Sequence, residues 1–511
     1  MKKYILGILA LAGLLSFSCN DYLDIPTENS SPVIGIDYSN ADNLFLPLSA
    51  AYASMRNNDA FAMPYYSMFE VASDNADKGS DSWDAPAILD IDSIRFDPGN
   101  YLFNNIWVAS FNIVSASNYA IESMDKFMTA LPTEKDRLTA KAYQGEAKFI
   151  RAYAFFNLVR LFGRVPIVDK SYTADELSKL PQSNTLDIYK FIQQDLVDAM
   201  AVLPTAYSYN QYPGRTTVYT AAALKAKVHM YLASVLKAEG QPYQAQWDSV
   251  AVLTDKVISS NLFELLPAFR TYFSLAGKNS KESIFEIQCS TLGNTSGGEE
   301  LKAFVEYAFQ QGPRGNEPGN MQGFGLCVPS DNLIKFYSDR NEKVRPATTL
   351  LYRGTLTPEG DSIKSRCVNP VYNGKVYTPS YENKWAYNGY GFDQNVRILR
   401  YADVLLMYCE ALFNGASAGT SGLSALDAIN EVRTRAKMPA LTSLSNQIIW
   451  DERRAELAME EDRFFDLVRT EEAQKVFAAL GISFDPAKNN IYPIPSTQLA
   501  LNKNLTQNPG Y

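Results

Sequence analysis

Apolar residues recur every three or four positions along much of the chain, the spacing that buries one face of an α-helix. Five of them, Ala142, Gly145, Phe149, Tyr153 and Phe156, follow this spacing in a segment that Gly163 and Pro166 terminate. They predict a helix of about six turns. Similar stripes predict further helices: Ile188, Ile192 and Leu196 before Pro204; Tyr219, Ala222, Ala226, Met230 and Ala233; Tyr401, Val404, Leu405, Tyr408 and Leu412; Leu426, Ile429 and Val432.

Two long stretches without helical spacing, residues 61–105 and 289–329, interrupt this scaffold and are rich in Gly, Asn, Asp, Ser and aromatic residues. Loops of this length in a compact protein usually carry function. Alternating apolar positions predict short strands at 283–288 and 375–378. Helices joined by short turns resemble stacked tetratricopeptide-type hairpins, although no clean 34-residue repeat is present. Because no low-complexity linker divides the chain, one compact body is expected.

The composition narrows the classes of function. The 511 residues are 46% hydrophobic and 20% charged, as in a folded soluble body, and the net charge of -9 argues against a nucleic-acid partner. There are 31 Tyr, 27 Phe and 5 Trp but a single His. This composition excludes a His-rich zinc site, and a Ser-His-Asp triad would need His229 itself. His229 lies on an apolar helical stripe, where a structural role is expected.

The N-terminus has the layout of an export signal. Lys2 and Lys3 precede an apolar run that ends at Leu15, and a short segment then leads to Cys19. The run is too short to cross a bilayer, since a spanning helix needs about 20 residues. We therefore predict that residues 1–18 are a removable signal peptide and that Cys19 is the lipid-attachment residue. The alternative is a plain secretory signal followed by an incidental cysteine.

The remaining cysteines and the clustered carboxylates do not predict a metal site. Four cysteines lack CxxC spacing, and a disulfide among the first three stays open: Cys289, Cys327, Cys367 and Cys409. Four aspartates could offer oxygens to Ca²⁺ but lack the Gly and Glu of an EF-hand: Asp74, Asp77, Asp81 and Asp84. Charged residues between 451 and 466 recur three or four apart. We interpret them as structural ion pairs along one helix.

Six groups of short motifs run in order from Cys19 to the C-terminus. They are CNDYLDIP at 19–26; EAKFIRAYAFFNLVRLFG at 146–163 with VP at 165–166; GRTT at 214–217 before AAALKAKVHMYL at 221–232; RYADVLLMYCEAL at 400–412 with INEVR at 429–433; ERRAEL at 452–457 with DRFFDLVR at 462–469; and YPIP at 492–495 with QNPGY at 507–511. As a set they resemble the SusD/RagB family of surface lipoproteins. Glu461 departs from the family pattern, which more often has Gly before Arg463, and this departure puts local helix packing in question.

The resemblance implies a mainly α fold, in which tetratricopeptide-like helix pairs form a right-handed superhelix with long irregular ligand-binding loops and a few short strands. It implies two regions, 19–236 and 237–511, packed as one body. It also implies a lipid anchor in the outer membrane on the extracellular side, and a SusC-like TonB-dependent transporter as partner. Most studied relatives bind glycans and some bind peptides, so an oligosaccharide is the expected ligand and a peptide the alternative.

Sugar chemistry selects candidate ligand contacts in the two long stretches. Sugars have apolar ring faces edged by hydroxyls, which aromatic rings and polar side chains complement. We predict contacts from Asp74, Trp83, Tyr307, Arg314 and Phe324, although an aromatic in a long loop can equally form the core of that loop. Neither a catalytic residue nor a cofactor is expected, because no phosphate-loop or nucleophile motif has its structural context. An exported glycosidase and a structural surface protein remain alternatives, since paired carboxylates suffice for glycoside hydrolysis.

Overall fold

The computed structural model describes residues 35–207, 213–290, 305–316, 323–379 and 393–511. The helices up to residue 290 are α1 (Phe45–Ser54), α2 (Asn58–Phe61), α3 (Met63–Tyr66), α4 (Pro86–Asp92), α5 (Tyr101–Ala130), α6 (Glu134–Phe162), α7 (Ala174–Leu177), α8 (Thr185–Val202), α9 (Val218–Ala238), α10 (Gln244–Ile258) and α11 (Phe269–Tyr272). The later helices are α12 (Tyr307–Gln311), α13 (Asp331–Asp339), α14 (Val344–Thr349), α15 (Tyr401–Phe413), α16 (Ala425–Arg435), α17 (Asn446–Leu457), α18 (Arg463–Arg469), α19 (Ala473–Ala479), α20 (Pro486–Asn489) and α21 (Ser496–Leu501).

The helices predicted from apolar spacing are confirmed. The first corresponds to α6, which at 29 residues is longer than predicted because Thr133 caps its start, accepting a hydrogen bond from the Asp136 N–H at 3.1 Å. The helix ends at Gly163, whose φ of 65° lies in the region that favours glycine. The other stripes correspond to α8, α9, α15 and α16.

The helix α5, the longest in the described ranges, was not among the predicted helices. Asn100 caps its first turn by accepting a hydrogen bond from the Leu102 N–H at 3.0 Å. Its buried side includes Ile106, Trp107 and Ile113. Trp107 therefore belongs to the core and not to the loop that precedes it in sequence.

Successive long helices pack against one another. Contacts join α5 to α6, α6 to α8, α8 to α9, α9 to α10, α10 to α15, and α15 to α16. Their buried faces form one large apolar cluster that extends from Leu48 near the start of the described chain to Leu505 near its end. The predicted mainly helical fold is confirmed. The predicted division between 236 and 237 falls within the last turn of α9 and stays a prediction.

The expectation that residues 61–105 form one irregular loop is wrong. This stretch contains α3, a π-helical turn (Ser67–Val71), the strand β1 (Ala76–Gly79), α4 and the start of α5. The reason is burial: Tyr65, Tyr66 and Phe69 all lie in the main apolar cluster, so this segment packs as part of the core. Only short irregular segments remain, among them the surface turn at residues 80–85.

Six short strands pair two by two within the described ranges: β1 with β3 (Leu326–Pro329), β2 (Ser283–Ile287) with β6 (Val396–Arg400), and β4 (Leu350–Tyr352) with β5 (Val371–Asn373). The strand predicted at 283–288 is confirmed as β2. The strand predicted at 375–378 is wrong, because β5 ends before Gly374. There the chain turns, and the Lys375 ammonium is bonded to the Glu456 carbonyl at 2.9 Å and the Glu460 carboxylate at 2.6 Å.

The charges between 451 and 466 do form ion pairs, but their placement along one helix is wrong. The helix α17 ends at Leu457 and α18 begins at Arg463. Between them Met459 and Glu461 have φ values of 64° and 63°, which a continuous helix does not allow. The partners come from distant segments, as where Glu456 binds Arg400 at 2.6 Å.

The lone histidine has the structural role that was expected. His229 is buried on α9, and its Nδ1 lies 2.7 Å from the Gln246 side-chain oxygen. Burial lowers its pKa to about 4, so the ring is neutral at physiological pH.

The four cysteines after Cys19 are buried and unpaired in the described structure. Cys19 itself, with the rest of residues 1–34, lies outside the described residues. Within those residues, no helix combines the length and apolar character needed to cross a membrane.

Candidate functional site

The antiparallel pairing of β1 with β3 joins the two stretches in which ligand contacts are predicted. Ala76 pairs with Pro329 and Gly79 with Leu326. Because the strands run in opposite directions, the turn that follows β1 lies beside the segment that leads into β3. Trp83 is in that turn and Phe324 is in that segment, so the fold brings two sequence-predicted residues to the same end of one small sheet.

Gly79 makes this close approach possible. Its φ is 71°, and a Cβ at this position would lie 2.4 Å from the Gly325 carbonyl oxygen and 2.9 Å from the Val328 side chain. The next residue, Ser80, also has a positive φ of 54°. The backbone therefore turns sharply away from β1 with no room for a side chain.

Trp83 is the most exposed large apolar side chain among the described residues, at 89%. Its backbone N–H donates to the Asp81 carboxylate at 3.1 Å, which fixes the turn while the indole points to solvent. Because this indole stays exposed to water, it contributes no hydrophobic burial to the stability of the fold. Such an indole can offer its ring face to a ligand.

Lys78 holds the Trp83 turn from below. Its ammonium is buried and donates to three backbone carbonyls, those of Gly79 at 3.0 Å, Asp81 at 2.8 Å and Asp84 at 2.8 Å. Burial lowers the pKa of Lys78, while Asp81 and Asp92 oppose this effect. Sequence reasoning missed this role, since no side-chain spacing signals a lysine that serves main-chain oxygens.

Arg314 bridges the two stretches. Its guanidinium forms an ion pair with Asp84, lies 3.4 Å from Asp81, and donates to the Ser80 hydroxyl at 3.1 Å. Its own carbonyl accepts a hydrogen bond from the Val368 N–H at 3.2 Å. The side chain is partly exposed, so it can reach a ligand while keeping the turn in place.

Phe324 provides a second aromatic surface. It packs edge-to-face on Phe309 of α12, with ring centroids 5.0 Å apart and an interplanar angle of 82°. Phe309 is buried, whereas 37% of Phe324 is exposed. The buried ring therefore sets the orientation of the exposed one.

Asp74 is buried just before β1, at the opposite end of this strand from the Trp83 turn. Its carboxylate binds Arg463 at 2.7 Å and Arg454 at 3.0 Å, joining the segment before β1 to α17 and α18. Burial alone would raise the pKa of Asp74, but the two arginines outweigh it and hold the pKa below its usual range.

Tyr307 is buried on α12, and its hydroxyl donates to the Glu461 carboxyl group. Thus the structure brings Trp83, Arg314 and Phe324 to the same end of one small sheet, whereas Asp74 and Tyr307 are buried. Ligand contact by any of the five stays a prediction.

A pair of buried carboxyl groups lies next to Tyr307. The Glu70 carboxylate accepts hydrogen bonds from the backbone N–H groups of Met459, at 2.9 Å, and Glu461, at 2.8 Å. These bonds fix the turn between α17 and α18. Burial raises the pKa of Glu70 to about 7. Burial and the nearby Glu70 raise the pKa of Glu461 well above its ordinary value. The Glu461 carboxyl group therefore holds its proton more tightly than an exposed glutamate does.

The surface does not resemble a metal centre. Among the described residues, no three His, Cys, Asp or Glu side chains are grouped so that they could hold a metal ion. Two of the aspartates considered for Ca²⁺ are bound to arginine, Asp74 to Arg463 and Asp84 to Arg314.

The fold and this surface define a mainly helical protein that displays aromatic and polar side chains beside one end of a two-stranded sheet. Comparison with known families identifies the protein class more specifically than the fold does. A model described as the SusD family matches residues 348–511, and one described as starch-binding associating with outer membrane matches residues 21–232. The chain belongs to the SusD/RagB family.

Individual relatives support the assignment. The chain is 27% identical to SusD-like protein P2 of Formosa agariphila, with 100% of both chains covered. It is 24% identical to a SusD-like protein of Bacteroides ovatus, over 92% of this chain and 82% of that protein.

Solved structures share the fold. A structure named laminarin binding SusD-like protein has a TM-score of 0.77 at 24% identity, covering 93% of this chain and 100% of that one. Surface glycan-binding protein A from Bacteroides thetaiotaomicron, in complex with laminarihexaose, has a TM-score of 0.75 at 21% identity, covering 91% and 99%.

Proposed function

We propose that this protein captures an oligosaccharide at the cell surface and delivers it to a SusC-like TonB-dependent transporter. The observation that carries the proposal is Trp83, an almost fully exposed indole on a turn fixed by Lys78 and Arg314. A rigid, solvent-facing aromatic side chain is the feature that a sugar ring needs in order to stack.

The neighbouring groups suit the rest of a sugar. The indole of Trp83 would cover one apolar ring face, and Phe324 would contact a second sugar unit. Arg314, Ser80 and Asp81 would exchange hydrogen bonds with hydroxyl groups at the ring edges. Because Asp74 and Tyr307 are buried, we propose that they act indirectly, by fixing the segments that carry the surface residues.

The relatives support this choice of ligand class. Two structures with the same fold are named for binding laminarin or for a complex with laminarihexaose, both of them glycans. We therefore favour an oligosaccharide over a peptide for this chain.

Capture of this kind needs no bond cleavage. The carboxylates nearest Trp83 hold structure: Asp84 binds Arg314 and accepts the Ser80 hydroxyl at 2.5 Å, and Asp81 caps the turn. We propose a binding protein and not a glycosidase. Release of reducing ends by the purified protein, abolished by a single Asp or Glu substitution, would favour the enzyme.

We further propose that Cys19 carries the lipid that anchors the protein in the outer membrane, facing outward. Labelling of cells with radioactive palmitate should mark the wild type but not Cys19→Ala; equal labelling would contradict the anchor. The transporter should be recovered as a large β-barrel protein when the tagged chain is purified in detergent. Recovery of the tagged chain alone would argue for a role without this partner.

Isothermal titration of the purified protein against a panel of glycan and peptide ligands tests the capture role. We expect a glycan to bind, and Trp83→Ala to weaken its binding roughly ten-fold or more, as removal of a central aromatic contact does. The matched control is Val252→Ala on α10, another exposed apolar residue at 68% exposure, which should bind as the wild type does. No glycan binding at millimolar concentration, or an unaffected Trp83→Ala, would contradict the proposal.

A further inference from the structure

Two exposed arginines lie next to the backbone that carries Arg314. Arg366 donates from its Nε to the Gly315 carbonyl at 2.9 Å. Arg353 donates from one terminal nitrogen, Nη1, to the carbonyls of Cys367 at 3.2 Å and Val368 at 3.1 Å. Since the Val368 N–H is itself bonded to the Arg314 carbonyl, these contacts place the three arginines on adjoining backbone segments.

The two outer arginines are not neutralised within the described part of the chain. Neither Arg353 nor Arg366 has a carboxylate partner there, whereas Arg314 is paired with Asp81 and Asp84. The carboxylates of the surrounding segment are engaged elsewhere. Glu359 binds Arg270 at 2.5 Å, and Asp361 accepts the Tyr377 hydroxyl.

The free ends of these side chains are well oriented to bind an anion. A guanidinium has five N–H donors. Arg366 uses its Nε on the backbone, which leaves both terminal nitrogens, and Arg353 uses only Nη1. Backbone contacts thus fix each stem, so less side-chain entropy is lost when an anion binds. A planar fork of this type matches a carboxylate or a sulfate with two parallel hydrogen bonds.

A third cation, Lys364, lies on the same segment, with its ammonium 3.0 Å from the Asn316 carbonyl. The three cations all lie near the buried thiol of Cys367. Burial raises the pKa of this thiol, and Arg366, Lys364 and Arg353 each oppose the rise. This positive patch is unexpected on a protein whose net charge is -9, and general attraction to polyanions does not account for it.

We infer that the ligand is an anionic oligosaccharide, whose carboxylate or sulfate groups bind Arg353 and Arg366 while a sugar ring stacks on Trp83. This inference rests on the proposed function and names the ligand class of the same site. Uronic acids and sulfate esters share the chemistry that the patch recognises, a compact oxyanion on a sugar ring. A neutral glucan would leave both guanidinium groups without a partner.

The test compares three probes of similar length by isothermal titration: laminarihexaose as the neutral glycan, an oligogalacturonate as the uronic acid, and a κ-carrageenan oligosaccharide as the sulfate ester. We expect at least one anionic probe to bind about ten-fold more tightly than laminarihexaose in about 20 mM NaCl, and to lose this advantage in about 500 mM NaCl. The better anionic probe identifies the source of the charge.

Variants assign the effect to the patch. Arg353→Gln with Arg366→Gln should reduce the preference for the anionic probe about ten-fold, while Arg353→Lys with Arg366→Lys should keep part of it. Lys256→Gln with Lys503→Gln removes two exposed charges from α10 and from the segment after α21, and should leave the preference unchanged. Thermal unfolding of each variant verifies that it is folded.

The outcomes separate this inference from the proposed function. Binding of laminarihexaose that depends on Trp83 but exceeds binding of both anionic probes would overturn the anionic ligand and leave glycan capture intact. An anionic preference that the control pair loses as much as the arginine pair would also overturn it. If no glycan binds at all, the proposed function fails first.

Discussion

At Glu461 one residue carries two unfavourable features. Its φ of 63° lies where glycine is favoured, and its carboxyl group is buried beside Glu70. The sequence already indicated that this position departs from the family pattern, in which Gly is more common. The structure supplies the physical reason, since the turn between α17 and α18 needs a left-handed residue here.

Stability should therefore depend on pH through Glu461. Its pKa is raised in the folded state, so its stabilising contribution is complete below the ordinary value of 4.5 and is lost as the pH rises through the folded pKa. We expect Glu461→Gln, which keeps an acceptor for Tyr307, to match the wild type near pH 4.5 and to exceed it by roughly 1 kcal/mol or more at pH 8.

Thermal unfolding across this pH range measures the difference. Glu264→Gln, which removes an exposed carboxylate, should follow the wild type at every pH. Parallel curves for wild type and Glu461→Gln between pH 5 and pH 8 would show that Glu461 does not titrate in this way.

Some residue roles were beyond sequence reasoning. Trp83, Arg314 and Phe324 could be selected by their chemistry in an aromatic-rich stretch. Lys78 and Glu70 could not, because each bonds main-chain groups of a turn whose geometry depends on the rest of the fold. The spacing of side chains along the sequence does not indicate which side chains will bond to distant main-chain groups.

At the scale of elements, the long helices follow from apolar spacing, whereas the small sheets do not. Each helix buries a stripe that recurs within its own sequence. The strand β1 has four residues, and its partner β3 lies about 250 positions later, so no local pattern connects them. The strand predicted at 375–378 was wrong for the same reason: alternation alone does not reveal where a tertiary contact ends a strand.

The junction of β1 with its turn provides a test at this scale. Gly79→Ala would place a methyl group 2.4 Å from the Gly325 carbonyl. We expect it to lower the free energy of unfolding by roughly 2 kcal/mol or more and to weaken glycan binding, because the Trp83 turn must shift. Gly240→Ala has a similar φ of 67° but open space around it, and should cost only about 1 kcal/mol.

Chemical denaturation gives both free energies, and titration gives both affinities. Equal losses of stability in the two variants would mean that the backbone conformation, and not the contact with Gly325, dominates at Gly79. Unchanged glycan binding by a folded Gly79→Ala protein would contradict the link between this junction and the site.

For the whole molecule, buried ion pairs connect segments that lie on either side of the predicted division between 236 and 237. Lys227 of α9 binds Asp403 of α15 at 3.1 Å and Asp462 at 2.5 Å, all within the core. Without this cation, Asp403 would keep only Arg453, at 2.8 Å, and Asp462 only Arg160, at 3.7 Å, so two buried carboxylates would be incompletely neutralised. The pairs therefore make the folding of each region depend on the other.

We expect Lys227→Met to lower the free energy of unfolding by roughly 3–5 kcal/mol. Lys148→Met, which breaks a partly exposed pair with Asp198 inside the first region, should cost about 1 kcal/mol or less. Urea denaturation followed by near-ultraviolet circular dichroism and tryptophan fluorescence measures both. A second, separate transition in the wild type would contradict the single cooperative body.

The family resemblance predicted the helical scaffold correctly because its motifs fall on the long helices and on the turns that end them, as at Gly163. It could not predict the ligand. Under our proposal, the ligand is selected by a few side chains in loops next to short strands, such as Trp83 and Arg366, and no helical spacing specifies these side chains.

The pairing of β1 with β3 also limits how ligand preference can be changed by engineering or by evolution. The turn at 80–85 and the segment around Arg314 and Phe324 are far apart in sequence but are fastened to each other by Arg314 and by the close contact at Gly79. Exchanging the turn alone would separate the new turn from the arginine that bridges to it. Exchanging the Arg314 segment alone would separate the new arginine from its aspartate partners. A successful graft of specificity from a relative would have to move both segments together.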